Sequence, residues 1–239
     1  MEKVLQFWKQ RNLSLYGKIN IVKTLGLSKL IYNASVSCIP ENFAKEVDKI
    51  TFHFIWNNKP PKIKKKTIIG PKEQGGLNVV SYTHINKAIK LAWIKRLLDD
   101  KQSSWKVIPN NALLKHGGLF LFSCDFDLKS IDTSATPPFY KNMLIYLQEF
   151  NALNPNKETI NKQCIWNNKR IKIGHSPIFY KSWFDKGIKN IEDLFDSNHK
   201  FLSLSEFGNI YDIQCNFLVY RGLISAVQNN ERKFRSKYQ

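Results

Sequence analysis

The chain has 239 residues, 43% of them hydrophobic and 23% charged, which excludes a disordered polymer and allows a core in one or two domains. Thirty-seven Lys and Arg stand against nineteen Asp and Glu, and the net charge of +18 favours a polyanionic partner, nucleic acid before an anionic membrane surface. No apolar run approaches the ~18 residues that span a bilayer, and the start, MEKVLQFWKQRN, lacks the apolar stretch of a signal peptide.

In chain order, Ser14 or Asn12 caps a helical pattern in which Leu15, Ile19, Val22, Gly26 and Leu30 recur at steps of three or four. It reads as one helix, or two broken near Gly26. Pro40 and Glu41 start another, with Phe43, Val47, Ile50 and Phe54 on one stripe and Trp56 at its end. Asn57-Asn58 and Pro60-Pro61 stop it. KIKKKTIIGPKEQGGLNVV (Lys62–Val80) alternates and is β-branched, which predicts short strands broken at Gly75-Gly76. SYTHINKAIKLAWIKRLLDD (Ser81–Asp100) predicts a helix capped by Ser81 or Thr83 and buried on most sides, with Lys87 and Lys90 on one face. Residues 109–138 are the least regular and read as a linker. Beyond them come a helix over PFYKNMLIYLQEF, a segment around Trp166, three short helices, and a last helix leading into a basic tail. The fold class is mainly α: a helical bundle over 1–58, a short β element plus a buried helix over 59–108, and a second small, mostly helical subdomain over 139–239.

FIWNNKPPKIKKK (Phe54–Lys66) is echoed by CIWNNKRIKIG (Cys164–Gly174). The flanks do not align, so these are two similar local devices rather than a repeat. The first is the sharper signal. Lys59, Lys62, Lys64, Lys65 and Lys66 crowd like charges beside Trp56 behind two stiffening prolines, an arrangement that phosphates relieve while releasing counterions. A solvated hairpin or an import signal is the alternative. Packing is the better account of the second device, with Lys169, Arg170 and Lys172. Trp56, Trp93, Trp105, Trp166 and Trp183 lie in apolar surroundings and read as core, with Trp56, Trp93 and Trp166 as structural anchors. The first half also carries the charge: 20 basic against 7 acidic side chains in 1–110, a net of +13.

Cys38, Cys124, Cys164 and Cys215 show no CxxC spacing and read as reduced thiols of an intracellular protein; the five histidines are equally scattered, so no zinc site is expected. Asp125 and Asp127 in CDFD lack a third ligand nearby. With no phosphate loop, GxSxG or HExxH, neither a catalytic centre nor a cofactor is expected.

WKQRNLSLYGKINIVK (Trp8–Lys23), FIWNNKPPKI (Phe54–Ile63), GGLNV (Gly75–Val79) and KAIKLAWIKRLL (Lys87–Leu98) occur in that order. Together with the Trp166 segment, WFDKGIKNIEDL and LSLSEF, they resemble the region downstream of the palm in LINE-type non-LTR retrotransposon reverse transcriptases. The resemblance covers nearly the whole chain. It implies a thumb that clasps a template–primer duplex, followed by a helical connection that helps hold template RNA and target DNA. By that likeness Arg11, Lys18 and Lys23 would face the duplex backbone, with Lys59, Lys62, Lys64, Lys65 and Lys66 beside them. The family's paired polymerase aspartates lie upstream of LSLYGKI and have no counterpart here. The resemblance therefore implies a nucleic-acid-binding fragment of an RNA-directed DNA polymerase, inactive alone, acting in nucleus or cytoplasm with nucleic acid and the missing palm as partners and no membrane. Two other readings stay open: a helical scaffold for another protein, and a decayed transposon remnant with no role of its own.

Overall fold

Helix α1 (Glu2–Lys9) is largely exposed but buries Leu5. Ser14 then caps α2 (Leu15–Ile21), its hydroxyl accepting from Gly17 N at 3.2 Å. The expected break near Gly26 is a π turn, Val22–Leu27, that runs without interruption into α3 (Ser28–Val36). A Cβ on Gly26 would already touch Leu5 Cδ2 at 3.4 Å, so the bare glycine lets α1 lie close against the turn. The computed structural model describes residues 1–153 and 162–238, with side chains through residue 230.

Helix α4 (Glu41–Ile55) follows Pro40, as its sequence predicts. Its buried stripe is Ala44, Val47, Asp48, Thr51, Phe54 and Ile55. Val47 and Phe54 of the expected stripe are there, but Phe43 is exposed and Ile50 only half-buried. The stripe includes Asp48 because that carboxylate is drawn inward by the groups it binds. Asn57 and Asn58 end the helix at φ 51° and 59°, a left-handed pair that asparagine tolerates better than most residues.

The strands expected after Pro61 are absent. Lys65–Ile69 is a short helix, α5, and Gly70 to Val79 folds back on it: Leu77 N and Val79 N both donate to Ile68 O, at 3.1 and 3.2 Å. Lacking a partner strand for a ladder, the β-branched Thr67-Ile68-Ile69 run buries Ile68 from a helical turn instead. Gly76 makes the fold-back possible, since a Cβ there would stand 2.0 Å from Gly70 O.

Helix α6 (Tyr82–Leu97) is capped from outside its own sequence. Ser81 holds the expected N-cap position, its carbonyl accepting from Ile85 N at 3.0 Å, but its hydroxyl is turned to another helix. Asp48 on α4 accepts from Tyr82 N at 2.6 Å, Ser81 Oγ at 2.7 Å and Thr83 Oγ1 at 2.8 Å. Burial is also confined to one stripe, Tyr82, Asn86, Lys90, Ile94 and Leu97, while Ala88 and Ala92 are exposed. Lys90, fully buried, reaches the C-terminal end of α3 and donates to Ala34 O at 2.6 Å and Ser37 O at 2.7 Å. Trp93 Nε1 donates to Ser35 O at 2.7 Å beside them. The carbonyls that a helix end leaves orphaned are thus satisfied by a neighbour.

The chain divides into two compact units, Met1–Trp93 and Ile94–Gln239, with the division inside α6. In the second unit α7 (Val107–Ala112) leads into a series of 3-10 turns, and α8 (Pro138–Leu153) follows. Residues 109–138, built largely of 3-10 turns, bury Leu113, Leu121, Phe122, Cys124 and Phe126. The β element lies later than predicted: β1 (Lys172–Ile173) pairs antiparallel with β2 (Ser176–Pro177). Helices α9 (Lys181–Asp185), α10 (Leu204–Tyr211) and α11 (Phe217–Tyr238) complete the unit, and a capping box of Ser203 and Glu206 starts α10. Helix α11 continues through the expected basic tail, whose side chains lie outside the described residues. Their common core is built around Trp166, with Trp183, Ile188, Phe207, Leu223 and Val227.

Replacing Lys90 by Met takes their donor from the buried Ala34 carbonyl and the part-buried Ser37 carbonyl, and we expect a loss of about 1–3 kcal/mol in urea unfolding. Burial pushes the Lys90 ammonium down to about 8 from its ordinary 10.5. Between those values the unfolded chain holds more protons than the folded one, so Lys90 adds stability as pH rises. The advantage of wild type over Lys90→Met should therefore grow from pH 8 to pH 10.

Candidate nucleic-acid interface

The last turns of α4 and the proline-stiffened bend after it enclose a surface cleft of about 530 Å³. Phe52 and Trp56 give it aromatic lining, Pro60, Pro61 and Ile63 come from the bend, and Lys45, Lys49, Lys59 and Lys65 bring the charge. Lys45, Lys49, Phe52 and Trp56 are spaced by four, three and four residues, so one face of α4 carries both the ammonium groups and the rings. Sequence reasoning missed Lys45 and Lys49, although this period was readable; the apolar stripe drew attention to the opposite side of the helix. Lys45 also pairs with Glu41 at 2.7 Å, and its ammonium holds that carboxyl below its ordinary pKa. Both side chains are well exposed, so a phosphate competes for Lys45 at little cost. Trp56 is half-buried, and its Nε1 is enclosed without a hydrogen-bond partner.

The lysines of the run are not equivalent. Lys59, Lys62, Lys64 and Lys66 are exposed to solvent. Lys65 is also exposed, with 55% of its side chain accessible, but its Nζ lies 3.5 Å from the buried Asp48 carboxylate and 4.8 Å from the centre of the Phe52 ring. It balances the charge that caps α6. Lys18 likewise has a structural bond, donating to Asn57 Oδ1 at 2.8 Å and so bracing the left-handed turn below the cleft. Arg11 lies over Trp8 at 4.7 Å and Phe7 at 5.6 Å, a cation–π contact that keeps its charge at the surface. Lys23 is exposed on the π turn.

The echo has another job. Trp166 is completely buried and donates from Nε1 to Ile188 O at 2.6 Å, with Trp183, Phe179 and Tyr180 packed edge-on around it. Asn168 Nδ2 donates to Cys164 O at 2.8 Å and Asn167 Nδ2 to His116 O at 3.1 Å, so both asparagines bond backbone within the unit. Lys169 and Arg170 reach Asp125 at 2.6 and 3.2 Å. That pairing also explains CDFD: Asp125 is an ion-pair acceptor, and Asp127 caps a short turn by accepting from Lys129 N. Of the tryptophans expected in the core, Trp166 and Trp183 are buried and Trp56 and Trp93 half-buried, whereas Trp105 is 42% exposed. Trp105 falls outside the apolar stripes because it sits on a single 3-10 turn before α7. Among the described residues no cluster of His, Cys, Asp and Glu could hold a metal ion, and no helix is long and apolar enough to cross a membrane.

No protein-family model matches the chain. It is 27% identical over 108 residues to a "Putative ribonuclease H protein" of Arabidopsis thaliana, a match covering 42% of this chain. The chain spans only 17% of the length of that relative.

The two tryptophan devices should respond differently to truncation. We expect Trp166→Ala to cost about 3–5 kcal/mol in denaturant unfolding, as for a large aromatic removed from a packed core. Trp56→Ala, at a half-buried site with an unpaired N–H, should cost clearly less in the same assay.

Proposed function

We propose that this chain is a nucleic-acid-binding piece of a retrotransposon polyprotein, corresponding to the thumb and C-terminal region of a LINE-type reverse transcriptase. The observation that carries the reading is the α4 cleft, where ammonium groups and aromatic rings share one helix face beside a rigid bend. The ordered motifs from Trp8 to Leu98 and the +13 of residues 1–110 support it. A relative named for ribonuclease H, a nucleic-acid enzyme, is consistent with it. In this reading Lys59, Lys62, Lys64 and Lys66, with Lys45 and Lys49, track phosphates of a template RNA or of a DNA duplex, and Arg11 and Lys23 add charge nearby. Lys18 and Lys65 hold the scaffold. Polymerisation belongs to a palm that brings the paired aspartates and their metal ions.

A second reading is favoured by one feature. Helix α3 leaves Tyr32 73% exposed and Val36 52% exposed, and these apolar side chains suit a protein neighbour such as that palm. Filter binding at low salt separates the two: retention of RNA or DNA supports the first, and failure to retain either supports the second.

Binding through phosphates should be steeply salt-dependent and weakly sequence-selective. If Lys59, Lys62, Lys64 and Lys66 each neutralise one phosphate, changing all four to Ala flattens the duplex log–log salt slope by about 3.6, at ~0.9 per contact. Lys65→Ala alone should leave that slope where it was. An unaltered slope in the quadruple variant would refute the assignment.

A further inference from the structure

Cys124 and Cys164 come from distant parts of the sequence and meet inside the second unit. Cys164 Sγ donates to Ser123 O at 3.2 Å, which brings it against the residue before Cys124, and Cys124 Sγ donates to Phe120 O at 3.4 Å. The two thiols are close enough to interact: contact with Cys164, then burial, then the charge of Asp125 hold the Cys124 thiol well above its ordinary pKa. Both line a cavity of about 250 Å³, whose other walls include Asn151, Asn168 and the ion pair of Lys169 with Asp125. Neither is bridged in this structure. Each is buried, and the partly open cavity connects both thiols to solvent. From the residues alone, the four cysteines read as unrelated thiols; nothing in their spacing reveals the pair.

We infer that Cys124 and Cys164 form a redox-sensitive dithiol that a hydroperoxide converts to a disulfide across the floor of this cavity. The thiolate of Cys164, the more exposed of the two, attacks one peroxide oxygen, breaking the O–O bond, forming a sulfenic acid and releasing hydroxide, which is protonated to water. The Cys124 sulfur then attacks the sulfenic sulfur, the S–O bond breaks, and a second water leaves with the Cys124 proton. Two thiols and one hydrogen peroxide thus give one disulfide and two waters; the sulfurs lose two electrons and the peroxide gains them. Adjacency of the second thiol favours this outcome over a second oxidation of Cys164. The bond would tie the 3-10 segment Gly118–Ser123 to the strand-like entry into the Trp166 core, closing the intervening α8 into a loop.

The test uses the full chain, oxidised with hydrogen peroxide, denatured, alkylated with N-ethylmaleimide and mapped by mass spectrometry. The expected result is a fall from four adducts, one for each cysteine, to two, with a linked Cys124–Cys164 peptide about 2 Da lighter than the sum of its parts. Dithiothreitol should restore all four. Cys164→Ser should abolish the linked peptide while Cys38 and Cys215 remain alkylated as before. Should that variant fail to fold, peptide mapping of the wild-type chain decides alone. Links to Cys38 or Cys215 in its place, separate sulfinic acids on Cys124 and Cys164, or four adducts surviving oxidation would each overturn the inference.

Discussion

The first unit depends on two buried charges that serve helix ends. Asp48 on α4 accepts the first amide of α6 and the hydroxyls on either side of it, while Lys90 on α6 donates to the last carbonyls of α3. Each group is almost wholly out of water and would be prohibitively unfavourable there if unpaired. Pairing them with helix termini turns two desolvated ions into geometric constraints: α4 sets where α6 begins, and α6 sets where α3 ends. Hydrogen bonds to charged groups contribute roughly 1.5–3 kcal/mol each, more than the apolar contact of one added methylene. Apolar side chains such as Leu27, Ile55 and Tyr82 then fill a frame whose angles are already specified.

The same constraint shapes the cleft. Asp48 lies at the edge of the buried stripe of α4, and Lys45 and Phe52, three positions before and four after it, stand beside it on the face that continues through Lys49 and Trp56 into the cleft. Lys65, still 55% exposed, is paired with the buried carboxylate, and Lys59, Lys62, Lys64 and Lys66 are exposed beside it. A feature that reads in one dimension as a block of equivalent cations is thus split into scaffold and surface by a single acid seventeen positions earlier.

Sequence periodicity was sufficient for the helices over 15–36, 41–55 and 82–97, for the Ser14 cap and for the mainly helical class, because these depend on local spacing and propensity. It failed wherever a distant residue decides. Asp48 reads as one more charge on an amphipathic helix, and Lys90 as a surface lysine, until their partners are placed. Thr67-Ile68-Ile69 has strand propensity, but a strand needs a neighbour and the chain offers none there. The echoed IWNNK motif shows the same limit. Identical residues end with Trp56 half-exposed beside a cleft and Trp166 sealed in a core, since only the second is followed by a hairpin and three helices that close over it.

The π turn at Val22–Leu27 carries a further consequence. It accommodates one residue more than a regular turn, so the faces of α2 and α3 are out of phase with a continuous α-helix. Deleting one residue there would let the helix wind regularly with α3 still on its present bearing, so Ala34 and Ser35 would keep their carbonyls toward α6. A deletion within α3 ahead of Ala34 would instead rotate the residues beyond it by about 100° and break that alignment. A one-residue deletion should therefore be tolerated better in the π turn than in the helix that follows it.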